Sequence, residues 1–411
     1  MDFLRGFSIV IAVIFIHTSA DFLSQDWVWI NALYFPFADF VGPLFFVFIS
    51  AISIVFSVKQ KEGEIPDEVI RNRIIARGGF IMMIGGIINV FHNILYPISI
   101  YSPIPFPLSV WGWNILFFIG FSQIAAYFSY KCGIKVSAIL GILILVIGVP
   151  LREFIFFYNL ELIDQNSFNI FTFLIHFIIT SPIPQIPLIP CIAVTFISTI
   201  FGQLIYSKME KGEIRNLFRL LKIFLILSIG ILIFSVLFGL NILAPGPFIS
   251  KVYSEVNLIK TINAQTFFPS FSLIGFPAFL IRGSISHTTF AIGFSLLAFT
   301  ICVYYLDLKK RQHLIFKFFN FYGKYSLSFF LFVFYFDFAF HRFLNIYLYM
   351  IYYIGVTSLL GLIIYLWKKY SKKAFLSPEW IVGKICFVTA NITYKRLNKK
   401  DHKDNDISHI K

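Results

Sequence analysis

Long runs of hydrophobic residues, separated by short polar loops, make up most of this chain. Runs of roughly 17 to 25 apolar residues are long enough to cross a bilayer as α-helices. The segments that fit are Leu4–Phe22, Ala38–Val58, Ile74–Leu95, Trp111–Tyr130, Val136–Phe157, Ile186–Tyr206, Leu221–Leu240, Thr288–Leu306, Tyr325–Arg342 and Ile346–Trp367. The pattern predicts an all-α, polytopic integral membrane protein with about ten transmembrane helices.

A further apolar segment at residues 168–180 is too short for a typical span. Prolines at positions 182, 184, 187 and 190 prevent a helix from continuing beyond it. We interpret this segment as an interfacial or re-entrant helix on the outer side of the membrane. If it did cross the bilayer, the number of spans would be eleven.

Composition agrees with a membrane protein. Of 411 residues, 58% are hydrophobic and 13% are charged, and the mean hydropathy is +0.82. Soluble domains carry about 25% charged residues. The net charge of +14 is also seen in nucleic-acid-binding proteins, but here the basic residues concentrate in alternate short loops, as positive-inside signals do. We therefore expect no nucleic-acid partner.

The basic loops also predict an orientation in the cell membrane. They are loops 59–77, 207–222 and 307–324, whereas the alternate loops 23–37 and 97–110 contain no Lys or Arg. Ten spans with both termini in the cytoplasm place every basic loop inside. We divide the chain into a transmembrane helical domain, 1–370, and a basic cytoplasmic tail, 371–411, whose short helix lies on the inner leaflet.

Polar residues inside the apolar runs are the candidates for function, because lipid does not tolerate them. In the predicted orientation, His17 and Asp39 lie several residues deep on the outer side of the first hairpin. A carboxylate orients a neighbouring imidazole and strengthens it as a base, so we expect this pair to be catalytic. The other outer residues either bind substrate or extend to water from helix ends; they are His92, Asn93, Asn114, Arg282, His287 and Asp337.

A second group of candidates, Arg5, Arg73 and Arg77, lies near the inner helix ends. Arginines in this position commonly anchor anionic headgroups or set topology. The functional alternative is that they bind the phosphates of a cytoplasmic donor, which Arg contacts bidentately. We expect no metal, because the histidines lack zinc-site spacing and the four cysteines form no C-x-x-C pair.

Three blocks of sequence carry a resemblance to a known family. The chain opens with a D-x-x-R-G pattern at Asp2, Arg5 and Gly6, residues 38–50 read ADFVGPLFFVFIS, and residues 114–123 read NILFFIGFSQ. Together these blocks resemble the heparan-alpha-glucosaminide N-acetyltransferase-like transmembrane acyltransferases. Ser50 stands where that family usually has Gly.

The resemblance implies transfer of an acyl group, usually acetyl, from cytoplasmic acyl-CoA to an extracytoplasmic amino sugar, glycan or lipid-linked acceptor. In this interpretation Arg5, Arg73 and Arg77 hold the donor. The best-known members carry a histidine in the first outer loop, but residues 18–37 contain none, so His17 is the candidate to replace it.

The expected partners are membrane lipids, acyl-CoA and the acceptor, with a homodimer left open. A transporter or flippase of a polar lipid or sugar is the alternative, because it also needs buried charges and an aqueous cavity. A third alternative is a scaffold subunit that has no catalytic activity.

Overall fold

A computed structural model describes residues 1–14, 41–95, 112–164, 169–179, 186–244, 274–310, 313–340, 346–371 and 375–408. The helices of the first half are α1 (Asp2–Ser8), α2 (Pro43–Lys59), α3 (Asp67–Leu95), α4 (Ile115–Cys132), α5 (Ile134–Asp164), α6 (Ile170–Ile179), α7 (Leu188–Cys191), α8 (Ala193–Glu210) and α9 (Ile214–Phe238). The later helices are α10 (Ile285–Cys302), α11 (Leu314–Lys324), α12 (Ser326–Phe340), α13 (Tyr349–Tyr370) and α14 (Pro378–Ser408). π-Helical turns extend α1 over Ile9–Ile14 and α10 over Val303–Leu308.

The prediction of a mainly helical membrane protein is confirmed. Each of the ten predicted segments is helical over most of its described part, and seven helices in those parts are long and apolar enough to span a membrane. The first, second, fourth and ninth segments include residues outside the described ranges. A count of ten, and the cytoplasmic placement of the termini, stay predictions.

The described residues also contain a feature that an all-helical prediction omits. Strands β1 (Ile242–Leu243) and β2 (Phe276–Pro277) form a two-stranded antiparallel pair. A 3₁₀ turn over Ala278–Leu280 then leads toward α10. The second strand and the 3₁₀ turn therefore form the segment that leads into the N-terminus of α10.

Helix α2 lies at the centre of the bundle. Phe45, Phe48, Ile49 and Ile52 have no exposed surface, and α2 packs against α4, α8 and α10. A helix that is apolar all round is buried all round. Helices α5, α9 and α13 instead carry large exposed apolar side chains along their length, as expected for helices whose outer faces meet lipid.

Helix α11 lies within residues 307–324, the basic segment predicted to connect two spans. Phe3 packs edge-on against Phe316 and Phe319 of α11. The two helices touch at glycines: a Cβ on Gly6 would lie 1.8 Å from a backbone oxygen of Phe319, and Gly323 is equally close to α1. The Gly of the D-x-x-R-G block therefore permits this helix crossing.

Helices α3 and α4 cross at a second pair of glycines. A Cβ built on Gly78 would lie 2.6 Å from the carbonyl oxygen of Gly120, and one on Gly120 would lie 2.4 Å from that of Gly78. Small residues let membrane helices approach closely enough for extensive van der Waals packing. This crossing fixes the height of α3 against α4.

The ten-residue helix α6 corresponds to the predicted interfacial or re-entrant segment, and at 1.5 Å per residue it is about 15 Å long. It docks on Trp113, just before α4. The Trp113 indole N–H donates to the carbonyl oxygen of Phe177 at 2.5 Å, and the two rings stack 5.1 Å apart. The segment therefore packs on the bundle at the N-terminal end of α4.

The tail helix α14 has 31 residues, so it is longer than the short helix predicted there. It is also connected to other helices of the bundle by hydrogen bonds. Both carboxylate oxygens of Glu379 accept hydrogen bonds from Ser328, one from its backbone N–H at 2.8 Å and one from its hydroxyl. Asn72 of α3 donates to the Thr393 hydroxyl at 3.1 Å. The tail is thus part of the helical assembly.

Candidate functional site

A cavity of about 350 Å³ opens between α1, α2, α3, α4, α11, α12 and α14. Arg73 and Ile81 both line it, and their separation of eight positions corresponds to about 12 Å of helix. Its two ends differ in character. One end carries the cations Arg5, Arg73, Arg77 and Lys324, and the wall beyond it includes Ile9, Val13, Ile81, Ile115, Leu116 and Ile119.

The three arginines predicted to hold a donor therefore share one cavity, although Arg5 is far from the others in sequence. Helix α1 presents Arg5, whose guanidinium is paired with Asp2 one turn earlier at 3.2 Å. Arg73 and Arg77 lie one turn apart on α3, so they share a helix face. The Nε atom of Arg77 is buried and has no hydrogen-bond partner among the described residues.

Positive charge is concentrated around this end. Burial, together with the nearby charges of Arg73 and Arg77, lowers the pKa of Lys61 in the loop before α3. Glu379 is the acidic residue that lines the described cavity. Both of its carboxylate oxygens already accept hydrogen bonds from Ser328. The cationic end is therefore suited to bind an anion that brings several negative charges.

Asn114 lies at the other end of α3 and α4. Its side-chain oxygen caps α4 by accepting from the Phe117 N–H at 2.7 Å. Its amide group donates to the carbonyl oxygen of Gly85 at 2.6 Å and to the side-chain oxygen of Asn89 at 2.8 Å. Asn89 in turn donates to the Gly112 carbonyl at 2.8 Å. From Arg73 to Asn89, α3 extends about 24 Å.

These contacts give Asn114 a structural role. Both hydrogens of its amide group are already donated within the protein, to Gly85 and Asn89. The predicted hydrogen bond from Asn114 to a substrate would require one of these buried contacts to break. The sequence did not distinguish a cap from a ligand, because asparagine is common in both roles.

Replacing Asn114 with alanine is expected to destabilise the protein by about 2–4 kcal/mol. The loss combines a helix cap, worth about 1 kcal/mol, with a buried acceptor left unsatisfied, which costs about 1–3 kcal/mol. Asn169→Ala is the matched control, because Asn169 caps α6 in an exposed position and its loss should cost about 1 kcal/mol. Thermal unfolding in detergent measures both, and equal shifts would contradict a buried network at Asn114.

Arg282 and His287 flank the start of α10. Ser284 caps this helix by accepting from the His287 N–H at 2.9 Å, and His287 is fully buried. Arg282 is half-buried in the preceding turn. Arg152, a buried residue of α5 that the sequence interpretation did not select, donates to the Gly283 carbonyl at 3.4 Å. The structure therefore brings a second arginine to this turn.

The side chains of the remaining predicted residues lie outside the part of the chain that the structure describes. His17 and Asp39 are outside the described ranges, so their catalytic role stays a prediction. His92 and Asn93 are in the last turn of α3 and Asp337 is in α12, but their side chains are outside the described part. Their predicted substrate contacts likewise stay predictions.

Several residues of the cavity were not selected from the sequence. Lys324 was counted with the basic loop, Glu379 with the tail, and Gln123 and Ser50 only as parts of motif blocks. Gln123 gave the clearest signal, because it is a polar residue inside an apolar span. Among the described residues, no group of three or more His, Cys, Asp or Glu is arranged to hold a metal ion.

A bundle of apolar helices that encloses a cavity with a cationic end defines a polytopic membrane protein with an internal cavity. The chain belongs to the heparan-alpha-glucosaminide N-acetyltransferase family: the model of that family's catalytic domain matches residues 1–237. The family predicted from the sequence motifs is thereby confirmed, and with it the class of integral membrane acyltransferases. No curated protein and no solved structure matches the chain.

Proposed function

We propose that this protein is a membrane-embedded acyltransferase that moves an acyl group, in the first instance acetyl, from cytoplasmic acyl-CoA to an extracytoplasmic acceptor. The acceptor is an amino sugar, a glycan or a lipid-linked acceptor. The observation that carries the proposal is the cavity with four cations at one end and an apolar wall beyond them. Membership of a membrane acetyltransferase family supports the reaction type.

The cationic end suits the donor's phosphates. Arginine binds phosphate through charge-assisted and often bidentate hydrogen bonds, and the buried Nε of Arg77 adds a donor without a described partner. The apolar wall suits an acyl thioester, which carries no charge. A volume of about 350 Å³ falls within the usual range of ligand pockets, about 300–1,000 Å³. In this proposal the cationic end faces the cytoplasm.

The reaction joins the acceptor to the acyl carbon. The acceptor's amine or hydroxyl attacks the thioester carbonyl, an amide or ester bond forms, and the carbon–sulfur bond breaks. We assign removal of the acceptor's proton to His17 and orientation of the imidazole to Asp39, and the departing thiolate takes up a proton to leave as CoA. In sequence, His17 comes four positions after the cavity-lining Val13, which supports a base near the apolar end.

Transfer of labelled acetyl from acetyl-CoA in proteoliposomes tests this proposal. Wild-type protein should label an amino-sugar or glycan acceptor in a CoA-dependent way. His17→Ala should reduce the rate about 10²–10⁴-fold, the usual contribution of a general base. His313→Ala is the control, because His313 is an exposed residue before α11 and its loss should leave the rate unchanged.

Each outcome of this assay separates one part of the proposal. Equal rates for wild type and His17→Ala would remove His17 from the mechanism. Substrate uptake into the vesicles without any acetyl transfer would indicate that the protein is a transporter and not an acyltransferase.

A further inference from the structure

Gln123 is a polar residue in the wall of the cavity with an unused hydrogen-bonding atom. Its side chain is 3% exposed, and its amide group donates to the Ser50 hydroxyl at 3.1 Å. Its side-chain oxygen, also buried, has no hydrogen-bond partner among the described residues. Buried polar atoms are nearly always paired, so this oxygen marks a place where a ligand can supply a donor.

The height of Gln123 in the bundle indicates which ligand group is near. Gly78 and Gly120 are in contact where α3 crosses α4. Arg77 directly precedes the first of these glycines, and Gln123 lies one turn from the second. Gln123 therefore lies at the level of Arg77, where the cationic end meets the apolar wall. Ser50, on the central helix α2, lines the cavity beside it.

An acyl-CoA presents a suitable donor at this boundary. The chain that joins its phosphates to its thioester contains two secondary amides, each with an N–H group. If the phosphates bind the arginines and the thioester lies among the apolar residues, an amide must pass the level between them. A sugar acceptor fits this position less well, because it would arrive from the opposite end of the bundle.

We propose that the side-chain carbonyl of Gln123, held in place by Ser50, accepts a hydrogen bond from an amide N–H of the donor's pantetheine arm. This inference rests on the acyl-CoA donor proposed above. It makes Gln123 a residue that recognises the arm itself, separately from the arginines that bind the phosphates.

The test compares two ligands that differ in the arm. CoA carries it, whereas adenosine 3′,5′-bisphosphate has the nucleotide and two of the three phosphates of CoA without the arm. Binding is measured by calorimetry on protein in nanodiscs. Gln123→Met keeps the length of the side chain and should weaken CoA binding about tenfold, while binding of the bisphosphate stays unchanged.

Gln203→Met makes the same substitution at a half-buried glutamine of α8 outside the cavity lining and should change neither affinity. Unchanged CoA binding by Gln123→Met, or an equal loss for both ligands, would overturn the assignment. If wild-type protein bound neither ligand, the acyl-CoA donor itself would be refuted.

A second measurement needs only wild-type protein, so it is independent of how the variant folds. CoA analogues methylated at one or the other pantetheine amide nitrogen lack that N–H. One of them should bind wild type about tenfold more weakly than CoA does. Equal binding of CoA and both analogues would also refute the hydrogen bond.

Discussion

Arg73→Gln is expected to weaken acyl-CoA binding by about 10- to 100-fold. Arg73 lines the cationic end of the cavity, and a hydrogen bond to a charged group contributes about 1.5–3 kcal/mol. Charge-assisted contacts to phosphate are also screened by salt, so the difference from wild type should shrink as ionic strength rises. Calorimetric titration with CoA in nanodiscs at two salt concentrations measures both effects.

Arg71→Gln is the matched control for this prediction. Arg71 is on the same helix, and two residues correspond to about 200° around it, so its side chain leaves from nearly the opposite side. It pairs with Glu68 at 3.6 Å and is not among the residues that line the cavity. CoA affinity should stay at the wild-type value. A similar loss in both variants would mean that general positive charge, and not the cavity, attracts the ligand.

Gly78→Ala should destabilise the protein by about 1–3 kcal/mol, the usual cost of overpacking. The added methyl group would lie 2.6 Å from the Gly120 carbonyl oxygen and 2.7 Å from the Ile124 side chain. The Gly120 contact is with backbone, so it cannot be relieved by a rotamer change, and α3 and α4 must separate. The apparent melting temperature in detergent, followed by intrinsic fluorescence, should fall by several degrees.

Gly79→Ala provides the comparison at the next residue. Nothing lies within 4 Å of a Cβ at Gly79, and alanine is favoured over glycine inside a helix by roughly 0.5–1 kcal/mol. The melting temperature should therefore stay the same or rise slightly. The same contrast is expected between Gly85, which faces α4, and Gly86, which has open space around it. Equal effects at Gly78 and Gly79 would contradict the close crossing.

Much of this protein follows from the order of its residues alone. Apolar runs of membrane-spanning length predicted the helices, because a chain in lipid must satisfy its backbone hydrogen bonds within each segment. Motif blocks around Arg5 and Ser50 predicted the family that the comparison then confirmed. Positive charge near the predicted inner helix ends selected Arg5, Arg73 and Arg77, since arginine at such positions either anchors anionic headgroups or binds phosphates.

Only the tertiary structure decided which of these residues meet. Arg5 and Lys324 are more than 300 positions apart, yet the contact between Gly6 and α11 brings both to one cavity with Arg73. Asn114 had the sequence signature of a ligand, and folding placed it in a buried cap. The physical reason is that the periodicity of apolar residues determines which face of each helix is buried. Which other helix packs on that face depends on how closely the two helix backbones can approach each other.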